Sequence, residues 1–155
     1  MTILIPLWFF QSAAHEQYPF SSKQQEAVDT LLADSLNSRL VMTSDCTNQF
    51  LEDYRQETPG YLPYFCEGDF NEDGIGDFII ALKTGDRYDI YLFIGYHDGS
   101  FRPHWFASLN WLHDAGFFNR SGRPSIGMFY SDVVIRFYWN REKGQFDAVE
   151  EKLDE

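Results

Sequence analysis

The chain has 155 residues, of which 24 are acidic and 12 basic, giving a formal net charge of −12. That length suits one domain with a sizeable core better than two. The charge excludes phosphate backbones and anionic lipid surfaces as natural partners, because it repels rather than gathers them. Aromatic residues make up 18% of the sequence, so large rings must supply much of the buried area.

In chain order, residues 3–10 form an almost continuous apolar run that ends in Ser12, Ala13 and Ala14. Small residues after an apolar stretch fit the end of a signal peptide, so residues 1–14 read as the remnant of an export signal and 15–155 as the folded domain. The run is too short for a membrane span, which needs about twenty apolar residues. The expected location is therefore the periplasm or the medium. Two cysteines, Cys46 and Cys66, are an even pair in a chain expected to leave the cytoplasm, and a disulfide between them is the corresponding expectation. Such a bridge closes a short loop and restricts the unfolded chain by about 3 kcal/mol.

Ser22 stands three residues before Gln25, and Val28, Leu31, Leu32, Leu36 and Leu40 follow on one helical stripe, which predicts an amphipathic helix. A second, shorter helix is expected from a cap at Ser44 or Asp45, with Cys46, Phe50 and Tyr54 spaced four apart, stopping before Pro59 and Gly60. Beyond residue 61 the texture changes to short β-branched and aromatic runs between turn signals, the mark of an antiparallel sheet. The expected strands are 61–66, 78–83, 88–96, 101–106, 126–129, 133–139 and 145–149. Pro63 demotes the first to an edge strand or less. Asp98-Gly99 predicts a two-residue type I′ turn. Residues 108–125, with Trp111, Leu112, Phe117 and Phe118 among turn formers, read as an ordered loop pinned by rings.

The stretch Glu67-Gly68-Asp69-Phe70-Asn71-Glu72-Asp73-Gly74-Ile75-Gly76-Asp77-Phe78 carries the chemistry. Asp69, Asn71, Asp73 and Asp77 occupy loop positions one, three, five and nine, and Ile75 at position seven can offer its carbonyl. Calcium takes six to eight oxygen ligands, and its loops use these offsets with Gly at position six, here Gly74. Ile80 stands where an EF-hand needs its bidentate carboxylate, and a strand follows instead of an exit helix. The pattern Gly-Asp-Phe-Asn-x-Asp-Gly-x-x-Asp-Phe before an apolar strand resembles the calcium loop of FG-GAP and VCBS-type repeats. The resemblance covers residues 66–82 and implies calcium ligation by Asp69, Asn71, Asp73, the Ile75 carbonyl and Asp77. Glu72 stands where such loops usually have Gly, and the motif occurs once. A propeller needs several blades, so the likeness carries the loop and not that architecture.

Other constellations point nowhere definite. His97, His104 and His113, with Asp98 and Asp114, match no tight ligand spacing. Serines lack a nucleophile elbow, and neither cysteine sits in a nucleophile signature. Trp105, Trp111, Phe117, Phe118, Tyr130 and Trp139 are candidates for a recognition surface for protein or carbohydrate, with core packing as the alternative.

The resulting expectation is an α+β fold, N-terminal helices packed on an antiparallel sheet whose first hairpin starts in a calcium loop. The corresponding function is an exported, calcium-stabilised binding domain without catalysis. The rival readings are an immunity-type or inhibitor protein masking a basic partner, and, furthest behind, a calcium-dependent hydrolase.

Overall fold

A computed structural model of the protein describes residues 18–112, 116–119, 125–130 and 133–152. The expected export segment, His113, Asp114 and the middle of the 108–125 loop lie outside the described residues. The described chain is a mixed α+β fold dominated by strands, with two helices and two antiparallel sheets where one sheet was expected.

Helix α1 spans Ser22–Asp34 and is capped by Ser21, one residue earlier than expected. Ser21 and Ser22 both have a Gln three residues on, and the reciprocal bonds form with Gln24: its Oε1 accepts from the Ser21 amide at 2.7 Å, and its own amide donates to Ser21 Oγ at 3.3 Å. The choice is decided by burial, because Gln24 is buried and its Nε2 also donates to Glu67 Oε1 at 2.7 Å. The helix does not run on to Leu40. Asn37 takes φ 62°, and Ser38–Leu40 forms the short strand β1, leaving Leu36 exposed in the turn. The second helix also starts later than expected. A 3₁₀ turn occupies Thr43–Asp45, and α2 spans Gln49–Glu57 with Asn48 as its cap, Oδ1 accepting from the Leu51 amide at 3.2 Å.

The first sheet contains β1, β2 (Phe65–Gly68), β3 (Asp77–Thr84), β4 (Arg87–Gly95) and β5 (Phe101–Leu109). β1 and β2 lie along the same side of β3, β1 opposite residues 82–84 and β2 opposite residues 77–80. The Val41 amide donates to the Ala81 carbonyl at 3.0 Å between the two pairings. β4 pairs with the other side of β3, and β5 follows β4, with a bulge at Phe106 of β5 opposite Ile90 and Tyr91. β3 is buried over six consecutive residues, a pattern that requires cover on both faces. Rings of Tyr18, Phe20, Phe65, Phe78, Phe93 and Phe101 interlock there, with Phe78 and Phe93 stacked at 4.4 Å.

The second sheet runs β6 (Phe117–Phe118), β7 (Ile126–Tyr130), β8 (Val133–Asn140) and β9 (Gln145–Lys152), paired in that order. Phe117, Ile126 and Met128 join the same apolar core as the first sheet. Phe106 of β5 meets Phe137 and Phe146 edge-on. Polar ties add to this: the Phe117 amide donates to the Pro63 carbonyl at 2.6 Å, and Asn119 Nδ2 to the Glu67 carbonyl at 3.0 Å.

The β4–β5 turn differs from the expected type I′ form. That type needs positive φ at two residues, and here only Gly99, φ 77°, has it. The Gly99 amide donates to Tyr96 O at 2.9 Å and the Tyr96 amide to Ser100 O at 2.9 Å, which makes a three-residue loop, His97 to Gly99. Asp98 instead accepts from the Ser100 amide and hydroxyl.

Candidate functional site

The acidic loop joins β2 to β3, and the two strands pair antiparallel up to Gly68 opposite Asp77. Between them the backbone curls tightly: Gly74 has φ 88° and Glu72 has φ 56°. The curl is closed by its own side chains. Asp69 accepts from the amides of Asp73 at 2.9 Å and Gly74 at 2.8 Å, Asn71 Oδ1 from the Asp73 amide at 3.1 Å, and Asp73 Oδ1 from the Ile75 amide at 2.8 Å. Asn71 Nδ2 donates to Asp73 Oδ2 at 2.9 Å. Asx side chains that bond their own backbone in this way favour turns.

Asp77 plays a different part from Asp69 and Asp73. Its side chain is buried, and its two oxygens accept from three backbone amides, Phe70 at 2.9 Å, Asn71 at 3.3 Å and Gly95 at 2.9 Å. It therefore pins the start of the loop to its end and both to the end of β4. Burial pushes its carboxyl up to about 6, against the pull of those three amides. Gly95 is required beside it, since a Cβ there would come within 2.3 Å of the Gly76 carbonyl. An open cleft of about 490 Å³ adjoins the loop, lined among others by Glu67, Asp69, Asp77, Tyr96 and Phe101.

The structure thus brings Asp69, Asn71, Asp73 and the Ile75 backbone onto one turn, with Asp77 folded beneath it. Among the described residues no three His, Cys, Asp or Glu side chains converge on one point. The donor set of the turn is all oxygen: two partly or fully exposed carboxylates, a carboxamide and a main-chain carbonyl. Hard, oxygen-seeking cations suit such a set, and soft metals do not. Each carboxylate keeps lone pairs beyond those its amide bonds use. Among the described residues neither Asp69 nor Asp73 forms an ion pair with a basic side chain.

The other candidates scatter. Cys46 and Cys66 are free thiols in the structure, so the expected bridge is not made. Both pack against the apolar core, Cys46 Sγ lies 4.0 Å from the Asn48 carbonyl, and burial pushes the Cys66 thiol up. Of the six rings proposed for a recognition surface, Trp105 and Trp111 are exposed at 62% and 67%. Phe117 is fully buried, Phe118 stacks on Phe129 beneath Arg136, and Trp139 packs on Phe146. Only the backbone of Tyr130 is described. His97 and His104 are exposed, in the β4–β5 turn and on β5.

Three features escaped the sequence reading. Trp105 Nε1 donates to Ser108 Oγ at 3.2 Å, and Ser108 in turn donates to the buried Asp89, which also meets Arg87; the β5 bulge brings them together. Gly95 carried a signal, as an isolated Gly at a strand end marks close backbone approach. Arg141, in the β8–β9 turn, bonds Glu72 across 69 residues of chain, and no local pattern announces that.

No family model matches the chain, and no curated protein or solved structure is significantly similar to it. Among the described residues no helix is long and apolar enough to cross a membrane.

Proposed function

We propose that the loop takes one calcium ion and that the protein is an exported, calcium-stabilised binding domain without catalytic activity. The carrying observation is that Asp69 and Asp73 are aimed into one tight turn, bonded there to neutral amides, with no basic side chain paired to either among the described residues. Two carboxylates on one turn repel each other, and a divalent cation would relieve that repulsion. Asp69, Asn71, Asp73 and the Ile75 carbonyl would hold the ion, and Asp77, held by three amides, would fix the frame and lend a remaining lone pair. The ion supplies charge neutralisation and cross-linking of the turn; its role is structural. Exposed Trp105 and Trp111 would supply contact surface for a protein or carbohydrate partner.

One observation favours a different reading: the five bonds within residues 69–75 close the turn without metal. Calorimetric titration of metal-stripped protein separates the two, with magnesium as the control for ion size. Calcium uptake with one site per chain, lost in Asp69→Ala and Asp73→Ala, supports the proposal. Absence of binding heat together with an unchanged melting temperature leaves the self-closed turn.

A further inference from the structure

Glu72 stands between Asn71 and Asp73 with a φ of 56°, a left-handed conformation that L-residues other than Asn and Asp seldom adopt without support. The support comes from the second sheet. Arg141 Nη2 donates to the Glu72 carbonyl at 2.8 Å, and its Nε donates to Glu72 Oε2 at 3.1 Å. The guanidinium therefore grips the side chain and the peptide group of one residue together. An exposed ion pair alone would leave the backbone free to rotate; the bond to the carbonyl restrains it. The turn that presents Arg141 is itself locked. The Gly144 amide donates to Asn140 O at 2.8 Å, Asn140 Oδ1 accepts from the Lys143 amide at 3.1 Å, and Asn140 Nδ2 donates to Asp147 at 2.7 Å. The dihedrals at residue 72 set the direction of the Asn71 side chain relative to that of Asp73.

We propose that Arg141 is a positioning residue for the acidic loop: by gripping Glu72 it holds residues 69–75 in the curled form that presents their oxygens, and it couples cation affinity to the β8–β9 turn. The calcium part of this inference rests on the function proposed above. Two effects of the guanidinium oppose each other, since its charge repels a cation while its grip assembles the ligands. Arg141 is 67% exposed and its charge is matched by Glu72, so the net field of this solvated ion pair at the loop is small. The grip outweighs the repulsion.

The test pairs hydrogen exchange of the 73–75 amides in calcium-free protein with calorimetric calcium titration. It uses the full chain, Arg141→Ala, Arg141→Lys, Glu72→Gly, and the Arg141→Ala/Glu72→Gly double variant. Arg141→Ala should speed exchange about tenfold and weaken calcium binding about fivefold, the scale of releasing one strained residue. Arg141→Lys should restore part of each, because a point charge cannot replace the planar fork. Glycine takes positive φ freely, so in the Glu72→Gly background Arg141→Ala should change neither quantity. Unchanged exchange in Arg141→Ala, tighter calcium binding, or an effect of equal size in the Glu72→Gly background would overturn the inference. If the full chain takes up no calcium, the calcium reading fails and the exchange data alone decide whether Arg141 holds the loop.

Discussion

The acidic loop and the β8–β9 turn are built from the same parts and differ in how their charge is met. In both, a side-chain oxygen accepts from a nearby backbone amide around a glycine with positive φ: Asp69 from the Gly74 amide in one, and Asn140 from the Lys143 amide, beside Gly144, in the other. In the β8–β9 turn the carboxylate of Asp147 is answered by Asn140 and by Lys143 Nζ at 3.0 Å. In the acidic loop Asp69 and Asp73 bond neutral donors alone among the described residues. The β8–β9 turn carries its own counter-charge, whereas the acidic loop, with two carboxylates met by neutral donors alone among the described residues, is the place of the proposed cation.

That contrast can be broken at Asp77 first. Asp77→Ala leaves three amides without their acceptor, those of Phe70 and Gly95 buried and that of Asn71 partly so, and should cost about 3 kcal/mol or more in urea unfolding, with and without calcium. A loss below about 1 kcal/mol would show that Asp77 does not frame the loop. Next in size is the ion itself: calcium at one hundred times its dissociation constant should stabilise the protein by about 2.7 kcal/mol, read as a rise in Tm. Asp69→Ala and Asp73→Ala should remove that rise, and retention of it in both would place the ion elsewhere. A smaller effect belongs to Asp45, outside both turns, which Arg39 holds through two bonds of 2.7 and 2.9 Å. The Arg39 guanidinium keeps the Asp45 carboxyl below its ordinary value of 3.8, so its contribution is full above that pH and is lost as pH falls through the lowered value. Asp45→Asn should therefore cost up to about 1 kcal/mol at pH 7 and nothing in strong acid; a penalty unchanged across the acid range would contradict this. The smallest response is expected from Asp147→Asn, whose Oδ1 can still accept from Asn140 and keep the turn locked; it should leave the calcium response intact and shift Tm barely, and less so at high salt. A lost calcium response in that variant would mean that the two turns are not independent in charge.

The strands were legible because alternation and turn residues report local backbone preference. Residues 78–83, 88–96 and 133–139 fall inside β3, β4 and β8 with little change, apart from Tyr96, which opens the turn. The division into two sheets was not legible, since pairing partners depend on contacts between residues far apart in sequence. The same limit applies to helix ends. Leu36 and Leu40 continue the apolar stripe of α1, yet Asn37 turns the chain and Leu40 is buried from a strand. At the loop, the spacing of Asp69, Asn71, Asp73 and Gly74 foretold a tight curl. It did not foretell that Asp77 would turn inward to backbone amides, because that depends on β4 bringing the Gly95 amide alongside. Nor could it show Arg141, which supports Glu72 from the other sheet.

The sharing of one flank of β3 by β1 and β2 has a consequence for self-association. β1 is three residues long, yet it occupies the donors and acceptors of Leu82 to Thr84 that would otherwise face outward as a template for strand addition. Detachment of that short strand, by clipping in the segment after α1 or by weakening the Leu40–Leu82 pairing, would bare a stretch flanked by Ala81 and Ile80 to a second molecule. The shortest strand of the sheet thus covers a stretch of β3 edge that strand addition would otherwise find open.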